Sequence, residues 1–589
     1  MTFNQLPHNV QTRKKLLPVR TNTQKEKISI KPMKKTSASQ SAFFNPRVLL
    51  GFVLCSLGLL LALLGFSVYS SSPALAQAAN QAGSDVIVGA SYHNDVSPAL
   101  RDVQQGWPLV FKEQHEANPN PLIPNQHQDS PDAAVQNPDI SARALLAPTI
   151  PGPILNFNGI PFPGVGCNCA PPDTNGSVGS TQFVQIVNEG YQVFDKATGT
   201  SILGPNSIVS VWSGFGGACE NFGFGDPTVV FDKIARRWVI TEFASTNGGL
   251  PITDECIAVS TSDDATGTYN RYGFHLSNKF IDYPKLAVWP DAYYLSINLF
   301  NSSGTSFLGP QAFAFDRAKM IAGMPLATFI TFPALGANHA PFLPADLDGK
   351  RKPLAGAPNT YVEWPVTGVY NVYHFHVDFV TPTNSTFTLF ASPVAAGFTR
   401  LCPTTRDCVP EAGVGVGNRL DGIGDRLMYR LAYRTFKDGH ESLVGNYTVK
   451  SNNVAGIRWF ELRGVTAGPV TVFQESTYQP DTTWRWMGSI AMDKFGNMAL
   501  GFSASSSLIH PQIRWAGRLA TDPLNTLAQG EAHVFDGAGS QNDTFNRWGD
   551  YSAMAIDPVD DRTFWYTTEY YDTNSSFNWR TRIGNFRFP

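Results

Sequence analysis

The chain has 589 residues, of which 42% are hydrophobic and only 15% charged, with 51 Gly, 42 Pro and 40 Phe. So few charged side chains exclude a body of long amphipathic helices, while frequent Gly and Pro with abundant aromatics favour short strands joined by turns. The net charge of −3 is unevenly spread: residues 1–47 hold ten basic side chains and one acid, the rest carries −12, and so acidic a body argues against a nucleic-acid partner.

In chain order, residues 1–47 read as a basic cytoplasmic arm. Val48 to Tyr69 then runs 22 residues without a charge, long enough to cross a bilayer. Ala74-Leu75-Ala76-Gln77-Ala78 follows with the small-residue spacing that a signal peptidase accepts. Residues 48–69 therefore suit either a cleaved signal or a retained transmembrane anchor. Either way the positive flank places the remainder outside, as a secreted or extracytoplasmic membrane-anchored protein. Residues 70–150, rich in Asn, Gln, Pro and Asp, are expected to be the cleavage region and a linker, with short ordered pieces at Val86–Ala90 and Trp107–Phe111.

From there a pattern repeats to the end of the chain. Gly225–Asp232 is followed by a turn and Trp238–Phe243, and the same grammar recurs at Asp282–Trp289 with Tyr293–Ile297, Gly488–Asp493 with Met498–Phe502, and Gly549–Asp557 with Thr563–Thr567. Small or polar residues begin each first strand, apolar residues follow, Asp ends it, and a turn leads to the second: a hairpin by its turn chemistry. With weaker copies, repeats start at 173, 226, 282, 346, 425, 489 and 550. That period suits a four-stranded blade with elaborated loops, so residues 151–589 are expected to form an all-β, single β-propeller of seven blades. Six or eight blades, or two all-β domains, are the alternatives. Leu155-Asn156-Phe157 is expected to pair with Ile583–Phe586 and close the ring.

Cys55 lies in the apolar span, leaving six cysteines outside it, an even number in an oxidising compartment. Cys219 with Cys256 and Cys402 with Cys408 are the expected disulfides, with Cys167 and Cys169 left over.

If the hairpins line the centre, Asp173, Asp226, Asp282, Asp425 and Asp550 ring one mouth. Asp226, Asp282 and Asp550 are the candidate catalytic carboxylates, able to act as acid and base. Asp173, Asp425, Arg547 and Trp548 are candidate binding residues. Each Asp has a structural alternative, accepting backbone N–H groups of the neighbouring blade. Asp346-Leu347-Asp348-Gly349 is a partial calcium loop, and His374 and His376 share one strand face as candidate zinc ligands; calcium is the cofactor considered. An Asx-turn and ordinary strand histidines are the competing explanations. No nucleophile elbow, P-loop or zinc-protease motif is present.

The strings Pro171-Pro172-Asp173-Thr174-Asn175-Gly176, Asp282-Tyr283-Pro284-Lys285 through Trp289-Pro290-Asp291-Ala292-Tyr293-Tyr294, and Trp548-Gly549-Asp550-Tyr551-Ser552 through Thr563-Phe564-Trp565-Tyr566 are distinctive. Across residues 150–589 the chain resembles a family of uncharacterised secreted bacterial proteins. The resemblance implies export and implies no activity. The functional expectation is a binding module whose propeller mouth and aromatic loops hold a glycan or a cell-surface protein. A carbohydrate-active hydrolase or lyase using the mouth carboxylates is the alternative, and a structural surface module without ligand is a second one.

Overall fold

The structure is a computed structural model, and it describes residues 85–103, 115–116, 123, 127–141, 147–164, 169–542 and 546–589. The apolar span 48–69 and the expected piece Trp107–Phe111 lie outside the described residues. No helix among the described residues is long and apolar enough to cross a membrane.

The chain is all-β. Before the repeats come β1 (Ile87–Ala90), β2 (His93–Val96) and β3 (Leu155–Pro161), besides two-residue strands at His115–Glu116 and Cys169–Ala170. Seven antiparallel meanders follow. Sheet I holds β4 (Asn175–Val178), β5 (Gln182–Val187), β6 (Gly190–Asp195) and β7 (Ser201–Ser207). Sheet II holds β8 (Gly223–Asp232), β9 (Arg237–Ser245), β10 (Ile252–Ser260) and β11 (Tyr269–His275). Sheet III holds β12 (Ile281–Val288), β13 (Tyr293–Phe300), β14 (Phe307–Phe315) and β15 (Thr328–Thr331). Sheet IV holds β16 (Phe342–Leu347), β17 (Asn359–Glu363), β18 (Val372–His376) and β19 (Thr386–Ala391). Sheet V holds β20 (Met428–Thr435), β21 (Glu441–Ser451), β22 (Val454–Arg463) and β23 (Thr471–Tyr478). Sheet VI holds β24 (Trp484–Met492), β25 (Met498–Ser506), β26 (Ile509–Arg518) and β27 (Glu531–Asp536). Sheet VII is built from β28 (Ala553–Ile556), β29 (Phe564–Tyr571) and β30 (Trp579–Phe586), with β3 as its fourth strand.

The first strands pack in a cycle: β4 on β8, then β12, β16, β20, β24 and β28, which returns to β4. This is the arrangement of a β-propeller, and each repeat start read from the sequence falls within or just before one of these inner strands, that at 346 only at the end of β16. Closure joins the expected segments, with Leu155 opposite Asn585, Asn156 opposite Gly584 and Phe157 opposite Ile583. Apolar residues of adjacent sheets fill the space between them, as where Trp515 of sheet VI meets Phe586 of sheet VII at 4.2 Å between ring centroids.

The segment before the repeats does more than link. β1 pairs with β15 and β2 with β11, so each adds a fifth, outer strand to a sheet. Arg271, buried in β11, anchors this addition through Asp95 at 2.7 Å and the carbonyl of Val211 at 2.9 Å. Farther on, the ring of His127 stacks on Phe398 at 3.9 Å and Val135 bridges to Thr477.

Both expected disulfides are present, Cys219–Cys256 and Cys402–Cys408. Cys169, left over in the sequence reading, is itself disulfide-bonded. Cys219–Cys256 ties the short helix Gly217–Asn221 to β10 across a sequence separation of 37. A cross-link of that span restricts the unfolded chain by about 3–4 kcal/mol. The double variant Cys219→Ser/Cys256→Ser is expected to lose about that much stability in denaturant unfolding, with its sheet content unchanged by circular dichroism.

Candidate functional site

The expected carboxylates do meet. Asp173, Asp226, Asp282 and Asp550 stand where the chain enters β4, β8, β12 and β28, and each is at most 4% exposed. The local backbone is unusual there: Asp173, Asp226 and Tyr283 have φ of 47°, 45° and 54°, a left-handed region that costs a non-glycine residue energy. Pro227 and Pro284 come next, and the ladders β8–β9 and β12–β13 break register over both segments. A proline suits such a bulge because it has no N–H to leave unpaired.

Lys285 is the centre of the cluster. Its side chain is fully buried, with Nζ 3.8 Å from Asp226 Oδ2, donating to the Pro284 carbonyl at 3.0 Å. The same Nζ sits 3.9 Å from the ring centroids of both Tyr283 and Tyr551, a cation held between two aromatic faces. Arg426 pairs with Asp425 at 2.8 Å and approaches Asp550 at 4.0 Å. Arg547 pairs with Asp550 and lies 3.8 Å from Asp421. Asp425 and Arg547, expected as binding residues, are thus members of the same network.

The environment separates the acids. Burial, reinforced by Asp226 and Asp550, pushes Asp282 up to about 8. Burial with the charges of Asp550 and Asp226 also holds Asp173 well above the usual carboxylate range. Burial raises Asp226 too, although Lys285 opposes it. For Asp550 burial acts in the same sense, but Arg547 and Arg426 outweigh it and keep the carboxyl below its ordinary value. Lys285 is lowered by burial against the pull of Asp226 and Asp550. At neutral pH a protonated acid and an ionised carboxylate therefore belong to one cluster.

The structural role foreseen for these acids is also present. Asp173 accepts the Asp550 N–H at 2.7 Å and the Asn188 side-chain amide at 2.8 Å. Asn188 in turn accepts the Asp226 N–H at 3.0 Å.

Trp548 has a different place from the one expected. It is 1% exposed, lies between Trp486 and Tyr571, and donates its indole N–H to Ser503 at 3.1 Å. Its ring fills the space between sheets VI and VII and offers no face to a ligand.

The candidate metal ligands are occupied by protein groups. Asp346 accepts the Val288 N–H at 2.9 Å and pairs with Arg430 at 2.7 Å. Asp348 pairs with Arg430 at 2.7 Å and Lys233 at 2.9 Å, cations that hold its carboxyl well below the usual range against the effect of burial. Guanidinium and ammonium groups thus stand where calcium was considered. His374 bonds the Val465 carbonyl at 2.6 Å and stacks on Phe390 at 3.9 Å, while His376 is exposed on the same strand. Among the described residues no group of three or more His, Cys, Asp or Glu side chains is arranged to hold a metal ion.

A cavity that the sequence did not suggest lies at the outer rim of sheet II. It has a volume of about 380 Å³, and Tyr92, Phe222, Asn221, Thr246, Asp254 and His275 line it. Asn221 ends the short helix Gly217–Asn221, Phe222 leads into β8, Thr246 follows β9, Asp254 lies near the start of β10 and His275 ends β11, all on the entry side. Tyr92, between β1 and β2, is 48% exposed and Phe222 38%. Tyr92 can lie across β11 because residue 273 is glycine: a Cβ there would come within 2.5 Å of its ring. His275 bonds Asp254 at 2.7 Å and Asn278 at 3.1 Å. Burial opposes charge on this imidazole, but those two hydrogen bonds outweigh it and raise its pKa. Tyr92 and Asp254 are 162 residues apart in the chain, so only the pairing of β2 with β11 brings them together. The one signal in the sequence was the Cys219–Cys256 pair, whose Cys219 Sγ lies 3.7 Å from the Tyr92 hydroxyl.

No protein-family model and no curated protein matches the chain. Among solved structures, it is similar to an ulvan lyase of polysaccharide lyase family PL25, at 12% identity and a TM-score of 0.35, covering 73% of this chain and 94% of that one. It is also similar to the sialidase of Trypanosoma rangeli, at 12% identity and a TM-score of 0.31, over 62% of this chain and 55% of that one. The endo-arabinase of Bacteroides thetaiotaomicron aligns at 15% identity and a TM-score of 0.25, over 49% and 92% of the two chains. Likeness at this level assigns no activity.

Glu569 gives the cluster a measurable pH signature. It is buried beside the mouth, accepts from Thr174 and Thr568 at 3.0 Å each, and burial raises its carboxyl from 4.5 to about 8. Because the folded state binds this proton more tightly, stability is fully present below pH 4.5 and is lost as pH rises toward 8, by up to about 1.4 kcal/mol per pH unit. Glu569→Gln is expected to flatten the fall in unfolding free energy between pH 5 and pH 8, measured by guanidinium titration at each pH.

Proposed function

We propose that the chain is an exported protein, secreted or held at the membrane by residues 48–69, whose body is a single seven-bladed propeller acting as a glycan-binding module. The cyclic packing of the inner strands and the β3–β30 closure support one ring of seven sheets. The observation that carries the binding reading is the rim cavity of sheet II. Two partly exposed aromatic rings, Tyr92 and Phe222, stand beside Asn221, Thr246, Asp254 and His275 in an open space of about 380 Å³. Rings stack on the apolar faces of sugars while amides, hydroxyls and carboxylates take their hydroxyl groups, and the volume suits one or two sugar units. On a panel of immobilised polysaccharides the full chain is expected to be retained by at least one polymer. Tyr92→Ala and Phe222→Ala are each expected to weaken that retention roughly tenfold. Retention by none, or equal retention of both variants, overturns the glycan reading and leaves a cell-surface protein as the partner to test.

A second reading, a hydrolase or lyase, is favoured by the divided protonation of Asp282 and Asp550 around Lys285. In it Asp282 supplies a proton and Asp550 accepts one. Release of sugar ends from a retained polymer, lost by at least a hundredfold in Asp550→Asn with the fold intact, is the outcome expected of that chemistry.

A further inference from the structure

The inner strands run away from the acidic mouth, and at their far ends the character of the surface reverses. Between Asp226 and Lys233 the chain travels about 20 Å along β8. There a second cavity, of about 420 Å³, opens beside the ends of β8, β16 and β28. Its floor is apolar, made by Phe231, Ile234, Leu347 and Pro558, and four cations wall it: Lys233, Arg236, Lys350 and Lys352. No carboxylate is among its lining residues. This stands on a chain whose residues after 47 carry a net −12, so the concentration of positive charge is local.

The four cations are incompletely neutralised. Lys350 donates to an uncharged group, the Val559 carbonyl, at 2.7 Å. Lys352 has no ion pair or hydrogen bond among the described residues. Lys233 pairs with Asp348, which also serves Arg430 alongside Asp346, and is the best neutralised of the four. Arg236 pairs with Asp263 at the rim, where its side chain remains 65% exposed and the pair is weakly held. Phe231, Lys233 and Pro558 also line the narrow cavity of about 20 Å³ behind it, so the basic pocket is the outer end of the central channel. Like charges gathered around a concave, partly apolar space repel one another and focus a positive potential that an anion relieves.

We infer that this exit-end pocket binds a compact polyanion, a molecule bearing two or more phosphate, sulfate or carboxylate groups on a small framework. Lys350, Lys352 and Arg236 meet it at the rim, Lys233 holds it deeper, and the apolar floor contacts its framework. The inference is independent of the glycan reading, which concerns the opposite face.

Calorimetric titration of the full chain with pyrophosphate, a disulfated disaccharide and the same disaccharide without sulfate tests it. At least one of the two anions is expected to bind saturably with one site per chain, and the tighter of them identifies phosphate or sulfated sugar as the source. The neutral disaccharide is expected not to bind. Lys350→Glu/Lys352→Glu is expected to weaken the anion at least tenfold, while Lys279→Glu, an exposed cation on the entry side, leaves it unchanged. The bound anion is also expected to protect Lys350 and Lys352 from acetylation, read by mass spectrometry. Absence of saturable binding by both anions, or equal weakening by Lys279→Glu, overturns the inference and reduces the cluster to diffuse surface charge.

Discussion

Most neighbouring sheets share no backbone ladder at the centre of the ring, so the inner strand of each turns an edge of N–H groups toward the next, and those donors need acceptors. Among the described residues only β16 and β20 pair directly across that gap. Elsewhere side chains do the work. Asn175 of β4 accepts the Val229 N–H at 3.2 Å and Ser177 accepts that of Phe231 at 3.1 Å. Asp346 accepts from Val288 at 2.9 Å, Ser489 from Met554 at 3.0 Å and Asp173 from Asp550 at 2.7 Å. An unpaired buried N–H costs about 1–3 kcal/mol, so these short polar side chains are what allows the inner strands to approach at all.

The acidic mouth follows from the same constraint. A carboxylate that accepts a neighbour's N–H is buried by doing so, and several of them around one axis repel each other unless cations or protons intervene. Lys285, Arg426 and Arg547 provide the cations, and the raised affinity of Asp282 and Asp173 for protons provides the rest. The left-handed backbone at Asp173, Asp226 and Tyr283 aims these groups inward, and the surrounding sheets hold that strain. The two ends of the channel consequently differ in kind: the entry end balances its charges internally, whereas the exit end leaves lysines facing solvent.

The hairpins were legible because their cues are local. A polar start, an apolar run, Asp before a turn and an aromatic after it all fall within about twenty residues, and each such unit became the inner pair of a sheet. Ring closure was legible too, in that the expected partners Leu155–Phe157 and Ile583–Phe586 do lie in the two strands that pair. The rim cavity was hidden because it joins a residue between β1 and β2 to the loops of sheet II, and nothing in residues 70–150 marks them as edge strands. Trp548 misled for a related reason. Its neighbours Arg547 and Asp550 do face the network at the mouth, but the indole turns the other way, where Trp486 and Tyr571 complete its packing.

The β3–β30 pairing also governs when the protein can become whole. Strand β3 is made at Leu155–Pro161 and waits for Trp579–Phe586, about 425 positions later. Sheets I to VI can each form as their hairpins appear, but sheet VII and the ring stay open until β30 joins β29 to the waiting β3. During that interval the free edge of β3 is the exposed template most able to pair wrongly. Loss of Trp579–Phe586 would leave that edge uncovered for good.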